Sequence, residues 1–236
     1  LNLCKQERKD PAGNRIWDAL DHNRTYMIIL DMYLTMLSVI LGGILNMLFV
    51  KTNFYKKYKY PIDCNRKFRD GKRIFGDNKT WIGIVSMIVC CILSQVFIGF
   101  ICNAFNINNH NQIYRFYENK VGVNVLTGFL FGFMYMLFEL PNSFIKRRLD
   151  IECGKTNTNI IGKLFFVIDQ IDSLIGVMLI LVIFAKISWK QYFAYIFIGG
   201  FTHIMVNLFL YKIKVRRNVW KGKRSYSSDA LINRLF

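Results

Sequence analysis

Trp81–Cys102 reads WIGIVSMIVCCILSQVFIGFIC, an apolar run with no charged residue. A helix of this kind crosses a hydrocarbon layer about 30 Å thick, which takes about 20 residues. Four further stretches meet the same test: Tyr26–Val50, Val121–Leu140, Leu164–Ala185 and Tyr192–Tyr211. The connections between them are short, no Pro-rich or Ser-rich linker separates them, and no fixed-period repeat occurs. The sequence therefore predicts an all-α integral membrane protein with about five transmembrane helices. One helical domain is expected over 26–220, between a polar N-terminal segment, 1–25, and a basic C-terminal tail, 221–236.

Composition agrees. Of 236 residues, 53% are hydrophobic, yet the formal net charge is +17. Both properties fit one chain only if charge is segregated into the connections. Ten of the 32 Lys and Arg residues fall in 51–80, five in 141–163 and eight in 212–236, all on one side of the membrane. The opposite side receives nine. The positive-inside rule then puts the N-terminus outside and the C-terminus in the cytosol. Topology and phosphate chemistry account for the basic residues, so nothing points to nucleic acid. The N-terminal segment carries Asp-Pro and Gly-Asn turn signals and a short surface helix is expected around Ile16–Asp21. Six cysteines, Cys4, Cys64, Cys90, Cys91, Cys102 and Cys153, show no Cys-x-x-Cys spacing and read as ordinary buried or loop thiols.

The connection after the first span is unusual. Pro61–Gly83, PIDCNRKFRDGKRIFGDNKTWIG, holds six Lys/Arg, three Asp and three Gly. Glycine lets backbone approach an anion, cations neutralise it, and aspartate can orient an accompanying metal. A solvated basic loop explains the cations but not the glycines and interspersed acids. The GDNKT run within it is not a nucleotide P-loop, which needs Gly-Lys-Ser/Thr between a strand and a helix.

Three further groups stand out. Asp169 and Asp172 lie three apart in an apolar span, about 60° apart on a helix, so both can reach one centre. Carboxylates in lipid are costly and should face the bundle interior. They read as a Mg²⁺ site, or else as a structural pair satisfied by Lys163, Ser173 or a neighbouring helix. Glu139-Leu-Pro-Asn-Ser-Phe-Ile-Lys-Arg-Arg148 ends the third span. Pro141 is expected to stop or bend that helix, and the following cations to sit at lipid-phosphate level. His203 and Asn207 share one face of the last span, where a satisfied core histidine is the plainer reading. Asp31 stands alone in the first span, with a structural role expected.

Taken together, these residues resemble the CDP-archaeol synthases, integral membrane CTP-dependent cytidylyltransferases related more distantly to the CDP-diacylglycerol synthases. The resemblance rests on Pro61-Ile62-Asp63, Phe68 to Trp81, Pro141 to Arg148, Asp169-Gln-Ile-Asp172, and His203 with Asn207 ahead of Trp220. Where the family usually has two glycines after Pro-Ile-Asp, this chain has Cys64 and Asn65. Ile82 stands where the family tends to have Arg, and the late Pro-Trp pair is Val219-Trp220. The resemblance implies attack of a lipid phosphate monoester on the α-phosphorus of CTP, giving a CDP-lipid and pyrophosphate. It implies Mg²⁺ at Asp169 and Asp172, with Glu139 as a further candidate, and Lys79 as a catalytic cation. Asp70, Lys72, Arg73, Gly76, Lys79 and Thr80 would serve phosphate or nucleotide binding, as would Asn142, Lys146 and Arg147. The same chemistry on phosphatidic acid is one alternative. A divalent-cation transporter is another, but it needs polar groups through the full membrane depth, whereas the outer halves of the spans read as largely apolar.

Overall fold

The computed structural model describes residues 16–151 and 160–212. The stretch before Ile16, Cys153, Val219, Trp220, the basic tail and the Lys163 side chain lie outside what it describes. Six helices follow in order: α1 (Ile16–Phe49), α2 (Asn53–Lys57), α3 (Trp81–Ala104), α4 (Val121–Arg148), α5 (Ile160–Phe184) and α6 (Trp189–Lys212). A single 3-10 turn, Asn108–His110, lies in the α3–α4 connection, and no strand occurs among the described residues. Five of the helices are long and apolar enough to span a membrane, as the sequence predicts.

Two boundaries differ from expectation. The expected surface helix at Ile16–Asp21 is the first part of α1, continuous with the first span. And α4 continues as a helix through Pro141 to Arg148, so of the stop or bend expected there the stop does not occur. Proline removes one backbone donor, but tertiary contacts beyond it can outweigh that loss. Here Asn142 is buried against α5, and Lys146 and Arg148 are both held by acids, so the last two turns have partners.

Lipid is as apolar as a leucine side chain, so close packing rather than hydrophobic exclusion must join these helices. Gly128 and Gly132, one turn apart on α4, supply it. A Cβ on Gly128 would lie 2.6 Å from the Ile92 Cα, and one on Gly132 would meet the Ile88 Cα as closely. The two backbones touch. Around this seam the core is filled by Met87, Phe131, Val177, Met178, Leu181 and Tyr195.

The end of the bundle away from the 51–80 loop is polar inside, contrary to the apolar reading. Asp31 is 6% exposed and paired with His110 Nδ1 at 2.7 Å and with Arg115. Thr35, one turn on, accepts the Gln112 backbone N–H at 3.0 Å. Gln95 donates to the Tyr114 hydroxyl at 3.1 Å, which donates to Asn124 at 2.6 Å. Asp31 thus has the structural role expected of it, and its partners lie in a loop far along the sequence. These groups are occupied in docking the α3–α4 connection onto α1 and α3, as buried polar groups must be.

The glycine seam carries a prediction. Gly132→Leu should force α3 from α4 and lower stability by about 1–3 kcal/mol, read as a fall in the thermal unfolding midpoint in detergent. An unchanged midpoint would mean the backbones are not in contact.

Candidate active site

The 61–80 loop folds around one carboxylate. Ile62 N–H bonds Lys79 O at 2.9 Å and Phe68 N–H bonds Lys72 O at 2.8 Å, closing the chain into a small irregular hairpin. At its centre Asp63, 5% exposed, accepts from Arg73 at 2.7 Å and from the N–H groups of Gly76, Phe75 and Asn65 at 2.9, 3.0 and 3.1 Å. Burial alone would raise its pKa, but the guanidinium and the three amides outweigh it and hold the carboxyl at about 2. Arg73 is raised in turn by Asp63, against burial, and by Asp77.

The hairpin is fastened to the end of α4 by Arg148. Its guanidinium pairs with Asp70 at 2.8 Å, donates to Arg73 O at 2.6 Å, and lies over the rings of Phe144 and Phe68. Lys72 completes the clasp, reaching Arg148 O at 2.9 Å and Asp150 at 2.7 Å. Thr80 is fully buried, accepts from the Gly83 N–H at the start of α3, and bonds the Tyr55 hydroxyl at 2.9 Å. Five residues expected at phosphates, Asp70, Lys72, Arg73, Gly76 and Thr80, thus have partners within the protein and build the loop.

Lys79 is different. It reaches out of the hairpin to pair with Glu139 on α4. Burial would lower its pKa, but Glu139, with Asp172 and Asp169 behind it, keeps the ammonium above its ordinary range. Beside this pair, Asn142 of α4 donates its amide to Asp169 Oδ1 and to Asp172 Oδ2, both at 2.6 Å. Lys146, one turn on, pairs with Asp169. Asp172 also accepts its neighbour Ser173 N–H at 2.7 Å and is 8% exposed. The structure thereby brings together Lys79, Glu139, Asn142, Lys146, Asp169 and Asp172 from the loop, α4 and α5. Arg147 follows on α4 with a buried Nε that has no hydrogen-bond partner.

The donor set fits a hard cation in part. Two carboxylates converge on one amide, three acids face two ammonium groups, and Asn142 Oδ1 is a buried acceptor without a partner. Mg²⁺ takes one or two carboxylates and completes its shell with phosphate oxygens and water. Among the described residues no three His, Cys, Asp or Glu side chains are grouped to hold a metal ion, and Glu139 is engaged by Lys79. His203 and Asn207 lie farther back: both bond Gln170, the residue after Asp169. Gln170 is a residue to which sequence reasoning gave no role and which has no local signal; Arg148, expected among the cations at lipid-phosphate level, holds the hairpin through Asp70 and Arg73 O.

Between α1, α5 and α6 a partly open groove lies next to this cluster. Met36, Ile40, Met47, Leu174 and Val206 make it apolar, and Ser173 and Asn207 give it a polar edge beside Asp172.

The profile of the CarS-like family, CDP-archaeol synthase, matches residues 24–221. The chain belongs to the CDP-archaeol synthase family. The CDP-archaeol synthase of Methanocaldococcus jannaschii is 29% identical over 160 residues, 68% of this chain and 82% of that protein. The enzyme of the same name from Pyrobaculum islandicum is 27% identical over 164 residues, 70% and 84% of the two chains. A solved intramembrane enzyme of archaeal membrane-lipid biosynthesis has the same fold, with a TM-score of 0.52 at 17% identity, covering 75% of this chain and 92% of that one.

The two positions at which the resemblance implies glycine have a distinctive backbone. Cys64 and Asn65 both take positive φ, 48° and 62°, which asparagine tolerates and cysteine resists. Cys64→Gly should therefore stabilise the protein by about 0.5–1 kcal/mol, seen as a higher unfolding midpoint. A lower midpoint would show that the turn is not strained at this position.

Proposed function

We propose that this protein transfers the cytidylyl group of CTP to an archaeal ether-lipid phosphate, forming CDP-archaeol and pyrophosphate at the cytosolic face of the membrane. The observation that carries the reading is the pair Asp169 and Asp172 drawn onto one amide of Asn142, with Lys146 and Lys79 beside them. Membership of the CDP-archaeol synthase family supports the product class.

The chemistry follows from charge. The lipid monoester is largely anionic near pH 7, so an oxygen of it attacks the α-phosphorus without a strong base. A new P–O bond forms, the bond from the α-phosphorus to the bridging oxygen breaks, and pyrophosphate leaves with the electron pair. Two polyanions must be brought together, so the protein's contribution is alignment and neutralisation. Asp169 and Asp172 would hold Mg²⁺, which when bound supplies charge neutralisation at the phosphates. Lys146 and Arg147 would face the incoming phosphates from α4. Lys79 would exchange Glu139 for a phosphate oxygen as substrate arrives. The apolar groove between α1, α5 and α6 has the character needed for the lipid chains.

The test is turnover by purified protein in detergent with CTP and Mg²⁺, offered an unsaturated archaeal ether-lipid phosphate and phosphatidic acid in parallel. CDP-lipid and pyrophosphate are expected from the ether lipid. Asp169→Asn and Asp172→Asn should each lower the rate at least about 100-fold while leaving the protein folded; near-normal rates in both would remove the metal assignment. Product from phosphatidic acid alone would move the enzyme to the diacylglycerol branch.

Sidedness has its own check. Cys64 is exposed in the hairpin, so in a chain whose other cysteines are replaced by serine, a membrane-impermeant maleimide should label it only from the cytosolic side. Labelling from outside would invert the topology.

A further inference from the structure

The turn of α5 that carries Asp169 and Asp172 is gripped on its other side by α6. Asn207 Nδ2 donates to Gln170 Oε1 at 3.0 Å, and Gln170 Nε2 donates to Phe166 O, one turn back, at 3.1 Å. One turn earlier on α6, His203 Nδ1 lies 3.2 Å from the Gln170 carbonyl oxygen. A carbonyl can only accept, so Nδ1 carries the proton in this contact. Gln170 and Asn207 are 5% and 4% exposed, so the bond between their side chains has little competition from water.

We infer that His203 and Asn207 are positioning residues that act through Gln170 to fix the rotation of α5, and with it the aim of Asp169 and Asp172 at Asn142. The inference rests on the reading of the carboxylate pair given above. Gly199 and Gly200 bring α6 close to Leu174 and Ile171 of α5, but apolar contacts are non-directional and hold distance better than angle. Hydrogen bonds to one side chain and its own carbonyl define an angle. The sensitivity is large: a side-chain atom stands roughly 6 Å from its helix axis, so a rotation of about 20° moves it about 2 Å. A misplacement of about 1 Å can lower a rate by about 100-fold. Asn142 fixes the two carboxylates from the α4 side; the Gln170 grip fixes the same turn from the α6 side.

The experiment uses the full chain in detergent and two readouts. One is Mn²⁺ affinity by electron paramagnetic resonance without substrate; the other is kcat and KM for CTP. Asn207→Leu should weaken Mn²⁺ binding about ten-fold and lower kcat about ten-fold with KM for CTP little changed. The amide exchange Gln170→Asn with Asn207→Gln, which keeps one amide-to-amide bond across the interface, should bring both readouts back to within about three-fold of the parent. Should Asn207→Leu fail to fold, His203→Phe provides the same comparison. Parental Mn²⁺ affinity and kcat in the folded single variant, with only a lower melting point, would reduce the grip to a structural bond and overturn the inference. So would an exchange variant as impaired as Asn207→Leu. A parent protein that turns over CTP without binding Mn²⁺ would instead sink the metal reading of the carboxylates, and this inference with it.

Discussion

An amide shared by two carboxylates inside a membrane protein constrains everything around it. Asn142 can hold Asp169 and Asp172 only if α4 and α5 stay side by side at that depth, and only if α4 continues as a helix past Pro141. Unpaired carboxylates in hydrocarbon are costly enough that the sequence cannot carry them without such a partner. The glycine seam against α3 sets where α4 lies, and the α6 contacts at Gln170 set how α5 is turned. The cluster is thus the place where three helix interfaces and one loop must agree.

The basic loop has a different economy from the one its composition suggests. Half of its cations are engaged within the protein: Asp63 gathers Arg73 and three backbone amides, Lys72 with Asp70 binds the end of α4, and Lys79 reaches Glu139. Lys79 alone among its expected phosphate contacts joins the carboxylate cluster. A loop rigid enough to present one lysine at a fixed place needs many internal bonds, and charged residues supply them at a water-facing surface where apolar packing is thin. The glycine-rich, charge-rich signature marks a stiff platform as much as a binding surface.

The five spans were legible in the sequence because bilayer thickness imposes length and apolarity on each helix independently. The carboxylate pair was legible for the same reason: Asp169 and Asp172 violate the local rule. What could not be read depended on pairing between distant segments. The partners of Asp31, His110 and Arg115, lie in the α3–α4 connection, and no periodicity in α1 announces them. Gln170 looks like any polar residue in a wet helix until α6 is set against it. Pro141 reads as a stop or bend because its own chemistry opposes helix; the contacts that carry the helix past it come from α5 and the hairpin. The partners that Asp70, Lys72, Arg73, Gly76 and Thr80 have within the protein were not legible, because composition gives the sign of a charge but not the direction in which it points.

The fold of the hairpin is also insulated from acid. Asp63 titrates at about 2 in the folded chain and at about 3.9 when unfolded, so the stability it contributes is complete above roughly pH 4 and disappears only as pH falls through 2. Across every pH at which a membrane enzyme is ordinarily assayed, the Asp63 carboxylate at the centre of the hairpin stays ionised. Titration seen in that range does not come from the carboxylate around which the hairpin is built.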